Sequence, residues 1–540
     1  MSAGAAASGA GRPGSATSGR GATNPWVIAL VLSIATFMEV LDTTIANVAL
    51  PYVAGSLGVS ADEAAWVATT YLVANAIALT ASSFLSKMLG RKRFYLICVA
   101  LFTVSSVLCD LAWNIQSLLF FRVLQGLGGG GMVPVSQAVL ADAFPAEKRG
   151  QAFALFGIAV VVAPVLGPIL GGWLSDNYSW HWCFLINGPV GVFAIVLVSL
   201  LLQDSETAVE ERKRLTREGV RFDAVGFLLV ATFLGSLEVV LDRGLQDDWF
   251  GSNFIVTFSI ICGLAFALMI PWEITRRNPV VDFRMIGTRQ FGACFVVMLC
   301  VGSILFGTTQ IVPQLLEDVF GYSATWAGSA LSPGGLVTMG MMFVVGRLSG
   351  GHVQPKYLIA TGATIIAFAM YGLTSLYGDL DFWYFAWSRI YIGIGLPLVF
   401  IPIMTAAYDG LPPDKTDQAA ALTNVARNVG GSIGIALAQN VLAHRSQFHQ
   451  SRLVESVIPS SVQYHEALNQ VTNYFVAQGS SLIQAQQQAF AWIAEQVKIQ
   501  ATLMAYIDVF WTLMLISAAS VPAAFILRSV KLGGAARMVH

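Results

Sequence analysis

The stretch FMEVLDTTIANVALP, residues 37–51, contains two carboxylates, Glu39 and Asp42, and no other charge lies between Arg20 and Asp62. A carboxylate in the hydrocarbon of a bilayer costs about 2.5–3.5 kcal/mol on insertion scales, and ionisable residues there mark proton, ion or substrate pathways. Such acids could carry protons, attract cations or pair with a basic residue. The rest of the chain must supply the elements that hold them.

The composition indicates that these elements are membrane-spanning helices. Of the 540 residues, 56% are hydrophobic and 11% are charged, whereas soluble globular domains have about 25% charged residues. Repeated apolar runs predict an all-α polytopic protein in contact with membrane lipids. The formal net charge of −1 gives no reason to expect nucleic acid as a partner.

The apolar runs predict fourteen transmembrane helices. They lie near residues 26–48, 64–86, 94–112, 117–140, 151–173, 182–202, 223–242, 254–273, 291–316, 326–346, 357–377, 383–406, 420–443 and 504–527. With a cytoplasmic N-terminus, most of the 30 Lys and Arg residues fall in cytoplasmic segments, as the positive-inside rule requires. An even number of spans then places both termini in the cytoplasm.

The chain contains an internal repeat. The segments ADAFPAEKRGQAFAL (141–155) and YDGLPPDKTDQAAAL (408–422) are identical at seven of fifteen positions. Other aligned pairs, at this offset or one slightly shorter, are Arg122 and Arg389, Gly58 and Gly321, and Ser60 and Ser323. Six helices are therefore followed by two inserted helices and then by six more. A parallel repeat of this kind places the substrate between the halves, near the middle of the membrane.

Five regions follow from this division of the chain. They are a disordered cytoplasmic tail (1–25), an N-terminal six-helix bundle (26–202), two inserted helices with cytoplasmic linkers (203–290), a C-terminal six-helix bundle (291–527) with a periplasmic segment (444–503), and a cytoplasmic tail (528–540). The first tail is rich in Gly, Ala and Ser, a composition that cannot bury a core.

Seven motifs occur in order along the chain. They are LDTTIANVALP (41–51), FRVLQGLGGGGMVP (121–134), APVLGPILGG (163–172), LDRG (241–244), NVARNVGGSIG (424–434), HRSQFHQSRLVE (444–455) and QATLMAYIDVFW (500–511). Together they resemble the fourteen-helix drug:proton antiporter branch of the major facilitator superfamily, especially its EmrB-type members in Gram-negative inner membranes. The resemblance implies export of lipophilic drug-like molecules in exchange for protons by alternating access. The proton gradient is then the energy source, and no cofactor is expected.

The resemblance assigns proton coupling to Asp42, Arg122 and Glu39. Asp42 and Arg122 lie at matching depths, roughly 8–9 Å from the outer ends of their helices, and can pair if these helices are neighbours, as the family fold implies. Protonation of Asp42 would break the pair and change the favoured helix arrangement; the alternative is a structural ion pair. Glu39 is one turn inward, where it either carries protons or attracts cations into the cavity.

The stretch AVVVAPVLGPILGG resembles the antiporter motif of the fifth helix. Its residues are Pro164, Gly167, Pro168, Gly171 and Gly172, with Ala163 at the position usually held by Gly. The glycines remove side chains so that a neighbouring backbone can approach closely, and the prolines bend the helix. In register with the other motifs, this one favours export over uptake.

Aromatic, amide and charged side chains are expected to line the substrate cavity. The predicted lining residues are Glu39, Tyr71, Asn75, Gln125, Gln137, Gln310, Gln314, Asn424 and Arg427. This mixture suits flat, lipophilic substrates with few polar groups. Arg427 either faces the cavity or hydrogen bonds to carbonyl groups. Glu238, in the first inserted helix, is interpreted as part of an ion network with Asp242 and Arg243 at the membrane surface, with a coupling role as the alternative.

The loop SSFLSKMLGRKRF (82–94) departs from the superfamily pattern, because Lys87 occupies the usual acidic position and Ser83 the usual glycine. This change argues against the charge relay attributed to that acid. The basic turn after Gly90 is interpreted instead as a positive-inside anchor.

Residues 444–503 form a long polar segment between the last two helices. Ile483, Phe490, Ala494, Val497 and Ala501 recur at helical spacing, which predicts an amphipathic outward extension of the last helix. The segment is either a lid over the mouth of the transporter or, as the resemblance implies, a docking surface for a periplasmic membrane-fusion adaptor that leads to an outer-membrane channel.

Other function classes fit less well. Residues 430–434 match G-x-S-x-G, but the motif falls in an apolar helix and not in the strand–turn–helix that a nucleophile requires. The sequence has no P-loop and no metal-ligand motif, so neither an enzyme nor a metal site is expected. A channel or receptor does not need paired buried charge in a repeat. The remaining alternatives are an exporter of one metabolite or siderophore and an uptake symporter.

Overall fold

The computed structural model describes residues 24–204, 206–217, 222–276, 279–349, 353–378, 380–458 and 460–529. Within these ranges the chain forms eighteen α-helices. They are α1 (Pro25–Leu57), α2 (Ala61–Leu89), α3 (Arg91–Asp110), α4 (Ile115–Ala143), α5 (Ala146–Asn177), α6 (His181–Leu185), α7 (Asn187–Leu201), α8 (Glu206–Arg217), α9 (Ala224–Arg243), α10 (Asn253–Thr275), α11 (Phe283–Ile286), α12 (Arg289–Asp318), α13 (Ala324–Leu348), α14 (Pro355–Gly372), α15 (Phe382–Ala407), α16 (Thr416–Ser456), α17 (Val462–Ala477) and α18 (Leu482–Ile526).

Each of the fourteen predicted spans falls on one of these helices, and the sixth span is divided into α6 and α7. By length and composition, twelve spans of the described chain could cross a membrane. The helices α14 and α16, on two further predicted spans, are not among them. The all-α polytopic fold is confirmed, whereas the count of fourteen and the cytoplasmic termini stay predictions. Of the predicted tails, residues 1–23 and 530–540 lie outside the described residues.

The packing of the first six spans is repeated in the last six. In the N-terminal half, which comprises α1–α7, α1 packs on α5 and α7 while α4 packs on α2 and α3. In the C-terminal half, which comprises α12–α18, the equivalent α12 packs on α16 and α18 while α15 packs on α13 and α14. The helices that the sequence repeat aligns therefore have the same neighbours in both halves.

The turn between the first two helices of each half shows how the repeat is encoded locally. After α1, Gly58 has a φ of 65°, in the left-handed region that glycine adopts most readily. Ser60 then caps α2 in a reciprocal capping box with Glu63. After α12, Gly321 has a φ of 68° and the side chain of Ser323 caps α13. The aligned Gly and Ser residues thus build the same sharp turn twice.

The two halves meet along two seams. Along the first seam, α5 packs closely on α13, with Gly150 facing Gly346 at one end and Ile169 facing Gly328 toward the other. Along the second seam, α2 and α16 are joined at the predicted cytoplasmic end of the bundle. Farther out, α2 and α16 lie on opposite sides of a cavity.

The inserted helices pack beside the second seam. α9 contacts α2, α10 and α16, so it touches both halves. Val230 and Leu234 of α9 form a small apolar cluster with Met269 of α10, and Ala76 of α2 and Val429 of α16 pack against this cluster. The inserted pair is therefore a wall beside the gap between α2 and α16.

The Gly-Gly-Ser-Ile-Gly segment is a packing surface of α16. A Cβ atom at Gly430 would lie 2.1 Å from the carbonyl oxygen of Leu299, and one at Gly434 would lie 2.4 Å from the backbone of Ser303. The segment lies within a continuous helix, without the strand and turn that a serine nucleophile needs. Its glycines bring α12 and α16 into backbone contact.

Residues 444–503, which we call the arm, are mostly helical. α16 continues to Ser456, α17 packs on α18, and α18 runs from Leu482 through the last predicted span. The predicted apolar stripe is only partly buried, because Ala501 is buried whereas Ile483 and Phe490 are 72% and 49% exposed. The arm therefore presents large apolar side chains on its surface.

Candidate functional site: a charged cavity between the halves

A cavity that opens to solvent lies between the two halves. Helices α1, α2 and α4 of the N-terminal half, α12 and α16 of the C-terminal half, and the inserted α9 contribute its walls. Four charged side chains, Glu39, Arg122, Glu238 and Arg427, line it among apolar, hydroxyl and amide side chains. Its position between repeated halves is the one predicted from the repeat.

Glu39 enters the cavity from α1 and is 5% exposed. Its Oε1 atom accepts hydrogen bonds from Asn75 Nδ2 at 3.0 Å and from the Tyr71 hydroxyl at 3.3 Å. Its Oε2 atom is buried without a hydrogen-bond partner among the described residues. Leaving a buried carboxylate oxygen unsatisfied is costly, so a proton or a substrate cation would stabilise Glu39 in this place.

Arg427 enters the same cavity from α16 and is also 5% exposed. Its Nε and Nη2 atoms donate to the side-chain oxygen of Asn428 at 3.3 and 3.1 Å. Its Nη1 atom is buried without a partner in the described chain. Arg427 therefore faces the cavity, and its hydrogen bonds go to a side-chain amide and not to backbone carbonyls.

Asp42 and Arg122 form a buried ion pair, of which Arg122 lines the cavity and Asp42 does not. Arg122 Nη1 donates to Asp42 Oδ2 at 2.7 Å, and the two side chains are 1% and 0% exposed. Asp42 Oδ1 accepts from Gln125 Nε2 at 2.9 Å and from Asn187 Nδ2 at 2.6 Å. Arg122 Nε donates to the carbonyl of Val67 at 3.0 Å. A buried pair needs such extra hydrogen bonds to offset its desolvation.

Tyr71 connects the ion pair to Glu39. Its ring lies under the Arg122 guanidinium at 4.3 Å, and its hydroxyl donates to Glu39. The Tyr71 side chain thus touches both Glu39 and Arg122. A cation on a ring face that is shielded from water gains up to about 2 kcal/mol.

The sequence analysis missed two members of this network. Asn187, at the start of α7, and Ser106, on α3, hold Asp42 and Gln125 through hydrogen bonds of 2.6–3.0 Å. Asn187 stands in the apolar run WCFLINGPVGVF, and a lone amide in such a run is a signal that could have identified it.

The structure separates the predicted cavity residues into two groups. Glu39, Tyr71, Asn75 and Arg427 line the cavity. The other five lie elsewhere: Gln125 in the ion-pair network, Gln137 and Asn424 bonded to each other across the halves at 2.7 Å, Gln314 bonded to Gln439 at 2.7 Å, and Gln310 exposed. Hydropathy gives the depth of an amide in a helix but not the face on which it lies.

The glycines of α5 lie against α1. A Cβ atom at Gly167 would lie 2.0 Å from the Thr44 hydroxyl oxygen, and one at Gly171 would lie 2.9 Å from Ile45. Gly172 has open space around it, so it does not make the close approach predicted for it. The helix continues through Pro164 and Pro168. The motif therefore sets how α5 packs against the helix that carries both acids.

The halves are locked together at the predicted cytoplasmic end. Arg91 donates to both carboxylate oxygens of Asp417 at 3.0 and 2.9 Å, and it also pairs with Asp142 of its own half. Lys87 donates to the backbone carbonyl of Asp414. Position 87 has no acid, and Arg91 instead binds an acid of the other half, Asp417. The basic turn thus contacts that half, which corrects its interpretation as a simple anchor.

Glu238 is not part of the ion network predicted for it. Its Oε1 atom accepts from the Ser432 hydroxyl at 2.7 Å, and it lines the cavity. Asp242 bonds instead to Thr69, and Arg243 pairs with Asp247. One turn of helix therefore separates the cavity residue Glu238 from Asp242 and Arg243.

The sequence family described as the Major Facilitator Superfamily matches residues 32–435. The chain belongs to this superfamily. Within it, the chain is 36% identical to the multidrug export protein EmrB of Escherichia coli (strain K12) over 487 residues, covering 90% of this chain and 92% of that protein. It is 34% identical to EmrB of Haemophilus influenzae over 486 residues, again covering 90% and 92%.

A solved superfamily structure, that of the proton:xylose symporter XylE, has the same fold. It aligns with a TM-score of 0.55 at 14% identity, covering 91% of this chain and 94% of XylE. Superfamily members are transporters and not enzymes. In the described residues, no cluster of His, Cys, Asp or Glu could hold a metal ion.

Proposed function

We propose that the protein exports lipophilic drug-like molecules across the inner membrane in exchange for protons. The observation that carries this proposal is a cavity between two repeated halves whose wall holds a buried, half-satisfied acid, Glu39, beside the buried pair of Asp42 and Arg122. The names of the relatives, multidrug export proteins, support the substrate class. The proton gradient supplies the energy.

Asp42 acts as the switch in this proposal. While ionised, it holds Arg122, Gln125 and Asn187 together, which fixes α1 against α4 and α7. Protonation removes the charge that Arg122 needs, so the ion pair loses most of its stability. The helix arrangement that requires the pair is then disfavoured, and the alternative arrangement gains population.

Glu39 senses what occupies the cavity. Tyr71 contacts both Glu39 and Arg122, so a substrate that recruits the Glu39 carboxylate also disturbs the ring beneath the Arg122 guanidinium. Movement of the halves then requires the bonds of Arg91 to Asp417 to open at the other end of the bundle. The proposed cycle is a rocking of the two halves about the cavity.

The test is efflux of a fluorescent lipophilic cation from proteoliposomes under an imposed pH gradient. Wild type should export the probe, Asp42→Asn should lose at least 95% of this activity, and Glu39→Gln should retain part of it with altered substrate dependence. Glu466→Gln, which changes an exposed acid of α17, is the matched control and should be unchanged.

Proton-driven export that persists in Asp42→Asn would contradict the switch and leave the ion pair a structural role. Import of the probe in the direction of the proton flux would show a symporter instead. Retention of full activity by Glu39→Gln for every probe would remove Glu39 from the substrate site.

The arm is proposed to dock a periplasmic membrane-fusion adaptor that passes substrate to an outer-membrane channel. None of the cavity-lining residues belongs to the arm, whereas Ile483 and Phe490 are exposed on it, which favours docking over a lid. Ile483→Glu with Phe490→Glu should abolish drug resistance in cells yet leave proteoliposome transport unchanged. Loss in both assays would point to a lid, and Tyr377→Glu, an exposed residue outside the arm, is the control.

A further inference from the structure

The inserted helices contribute one residue to the cavity, and that residue is charged. Glu238 of α9 is 6% exposed and lines the cavity. Elsewhere on α9, apolar residues such as Val230 and Leu234 pack against α10, α2 and α16, and Asp242 and Arg243 bond to α2. An acid at this position is not explained by the packing of the inserted pair.

Charge balance singles out Glu238 among the acids of the site. Asp42 is neutralised by Arg122, and Glu39 shares the cavity with Arg427. Glu238 forms no ion pair with a described residue, and its one hydrogen bond comes from the neutral hydroxyl of Ser432. An unpaired carboxylate inside a membrane protein is unfavourable unless a proton or a cation compensates it.

The surroundings of Glu238 suit an organic cation. Phe306 lines the same cavity, and an aromatic face attracts cations when water is excluded. The hydroxyl of Ser432 fixes the Oε1 atom on one side, which leaves the Oε2 atom for a ligand.

We propose that Glu238 is a specificity-determining residue that selects cationic over anionic substrates, so that the inserted helices take part in substrate recognition. This inference rests on the proposed function only in taking the cavity as the substrate site. Proton coupling stays with Asp42, so the two roles reside on different helices and can be separated by experiment.

The experiment is equilibrium binding to the purified full-length protein in lipid nanodiscs. The probes are tetraphenylphosphonium and tetraphenylborate, which have nearly the same shape and opposite charge. Glu238→Gln should weaken tetraphenylphosphonium binding at least tenfold and leave tetraphenylborate binding unchanged or tighter. Glu238→Asp keeps the charge and should retain most of the affinity for the cation. Thermal melting of each variant checks that it is folded.

Glu273→Gln is the matched control, because Glu273 is a buried acid of the other inserted helix and does not line the cavity. It should change neither affinity. Equal weakening of both probes by Glu238→Gln, unchanged binding of both, or no binding of the cation by wild type would overturn the proposal. Unchanged cation binding with loss of proton-driven efflux would reassign Glu238 to proton coupling. Charge-selective binding without proton-driven efflux would keep this inference and remove the proposed function.

Discussion

Arg122 and Arg389 occupy equivalent positions in the two halves, and their surroundings differ. Arg122 has a carboxylate, a glutamine side chain and a backbone carbonyl as partners. Arg389, 4% exposed on α15, has its Nε and Nη1 atoms buried without a partner in the described chain. The repeat has thus kept the arginine in both halves but has kept its network in only one.

The sequence explains the loss. Gln125 of α4 corresponds to Ile392 of α15 at the offset that aligns the two arginines. The α12 helix, the counterpart of α1, has acidic residues only at its last two positions, Glu317 and Asp318. Among the described residues, no carboxylate therefore pairs with Arg389 that could release it on protonation. The two halves share the same helix packing, but the ion pair proposed as the proton switch lies in the N-terminal half.

Replacing each arginine by methionine should give the largest difference between the halves. Arg122→Met leaves Asp42 as an uncompensated buried charge, which should lower the free energy of unfolding by about 3–5 kcal/mol and abolish transport. Arg389→Met removes an unpaired charge and should leave stability unchanged or raise it by about 1–4 kcal/mol. Unfolding in SDS titrations and proteoliposome efflux measure the two effects. Equal destabilisation by both substitutions would refute the asymmetry.

Removing both members of the pair should separate stability from function. The double substitution of Asp42→Leu with Arg122→Met leaves no buried charge, so it should recover at least about 2 kcal/mol of the loss caused by Arg122→Met alone. Transport should stay absent because no proton switch remains. Recovery of proton-driven efflux in the double variant would show that the pair serves packing alone.

Alanine substitution at the close glycine contacts should destabilise the protein more in the C-terminal half than in the N-terminal half, which is the reverse of the order expected for the arginines. Gly430→Ala would press on the backbone of Leu299, which cannot move aside. Gly167→Ala would press on the Thr44 hydroxyl, which can rotate, and on the Thr44 Cβ at 2.7 Å, which moves only with α1. Overpacking costs about 1–3 kcal/mol, and we expect Gly430→Ala at the upper end and Gly167→Ala at the lower. Thermal melts compare them with Gly172→Ala, where open space predicts no change. A larger loss for Gly167→Ala would mean that α1 and α5 are the more rigid pair.

The smallest effects should come from the lock at the predicted cytoplasmic end. Asp417→Asn weakens the bond between the halves, while Asp409→Asn changes an exposed acid of the same half that repeats Asp142. We expect Asp417→Asn to shift the access equilibrium by about 1 kcal/mol, roughly fivefold, and Asp409→Asn to have no effect. Labelling of Ser86→Cys in a cysteine-free protein, by an impermeant thiol reagent from the cytoplasmic side, reports the shift. Equal labelling in the two variants would exclude the lock.

Much of the fold followed from the sequence because hydropathy and the repeat act over long stretches. The positions of the fourteen helical segments and the equivalence of Gly58 with Gly321 came from patterns that many residues share. The pairing of Asp42 with Arg122 could be expected from their matching depths together with the neighbouring helices that the family resemblance implies. Depth does not determine which helix face a residue occupies, however, and Gln310 and Gln314, which were predicted in the cavity wall, are not among the residues that line it.

Two features of the site had no local signal. Glu238 reads as a surface acid because Asp242 and Arg243 follow it closely, and only the packing of α9 against α16 reveals that it faces the cavity. The bond of Arg91 to Asp417 joins residues more than 300 positions apart. Contacts of this kind depend on how the two halves meet, which neither half specifies in its own periodicity.

The inserted helix α9 is fastened unequally to its neighbours. Two hydrogen bonds join α9 to α2: Thr69 donates to Asp242, and Arg243 donates to the carbonyl of Asp62. In the described chain, one hydrogen bond joins α9 to α16, from Ser432 to Glu238. If the halves separate on that side, the single bond between Ser432 and Glu238 is expected to break first. Because its other bonds go to α2, the helix α9 is then expected to stay with the N-terminal half. A bulky cation that binds the Glu238 carboxylate as it enters the cavity would compete with Ser432 and so weaken the attachment of α9 to α16.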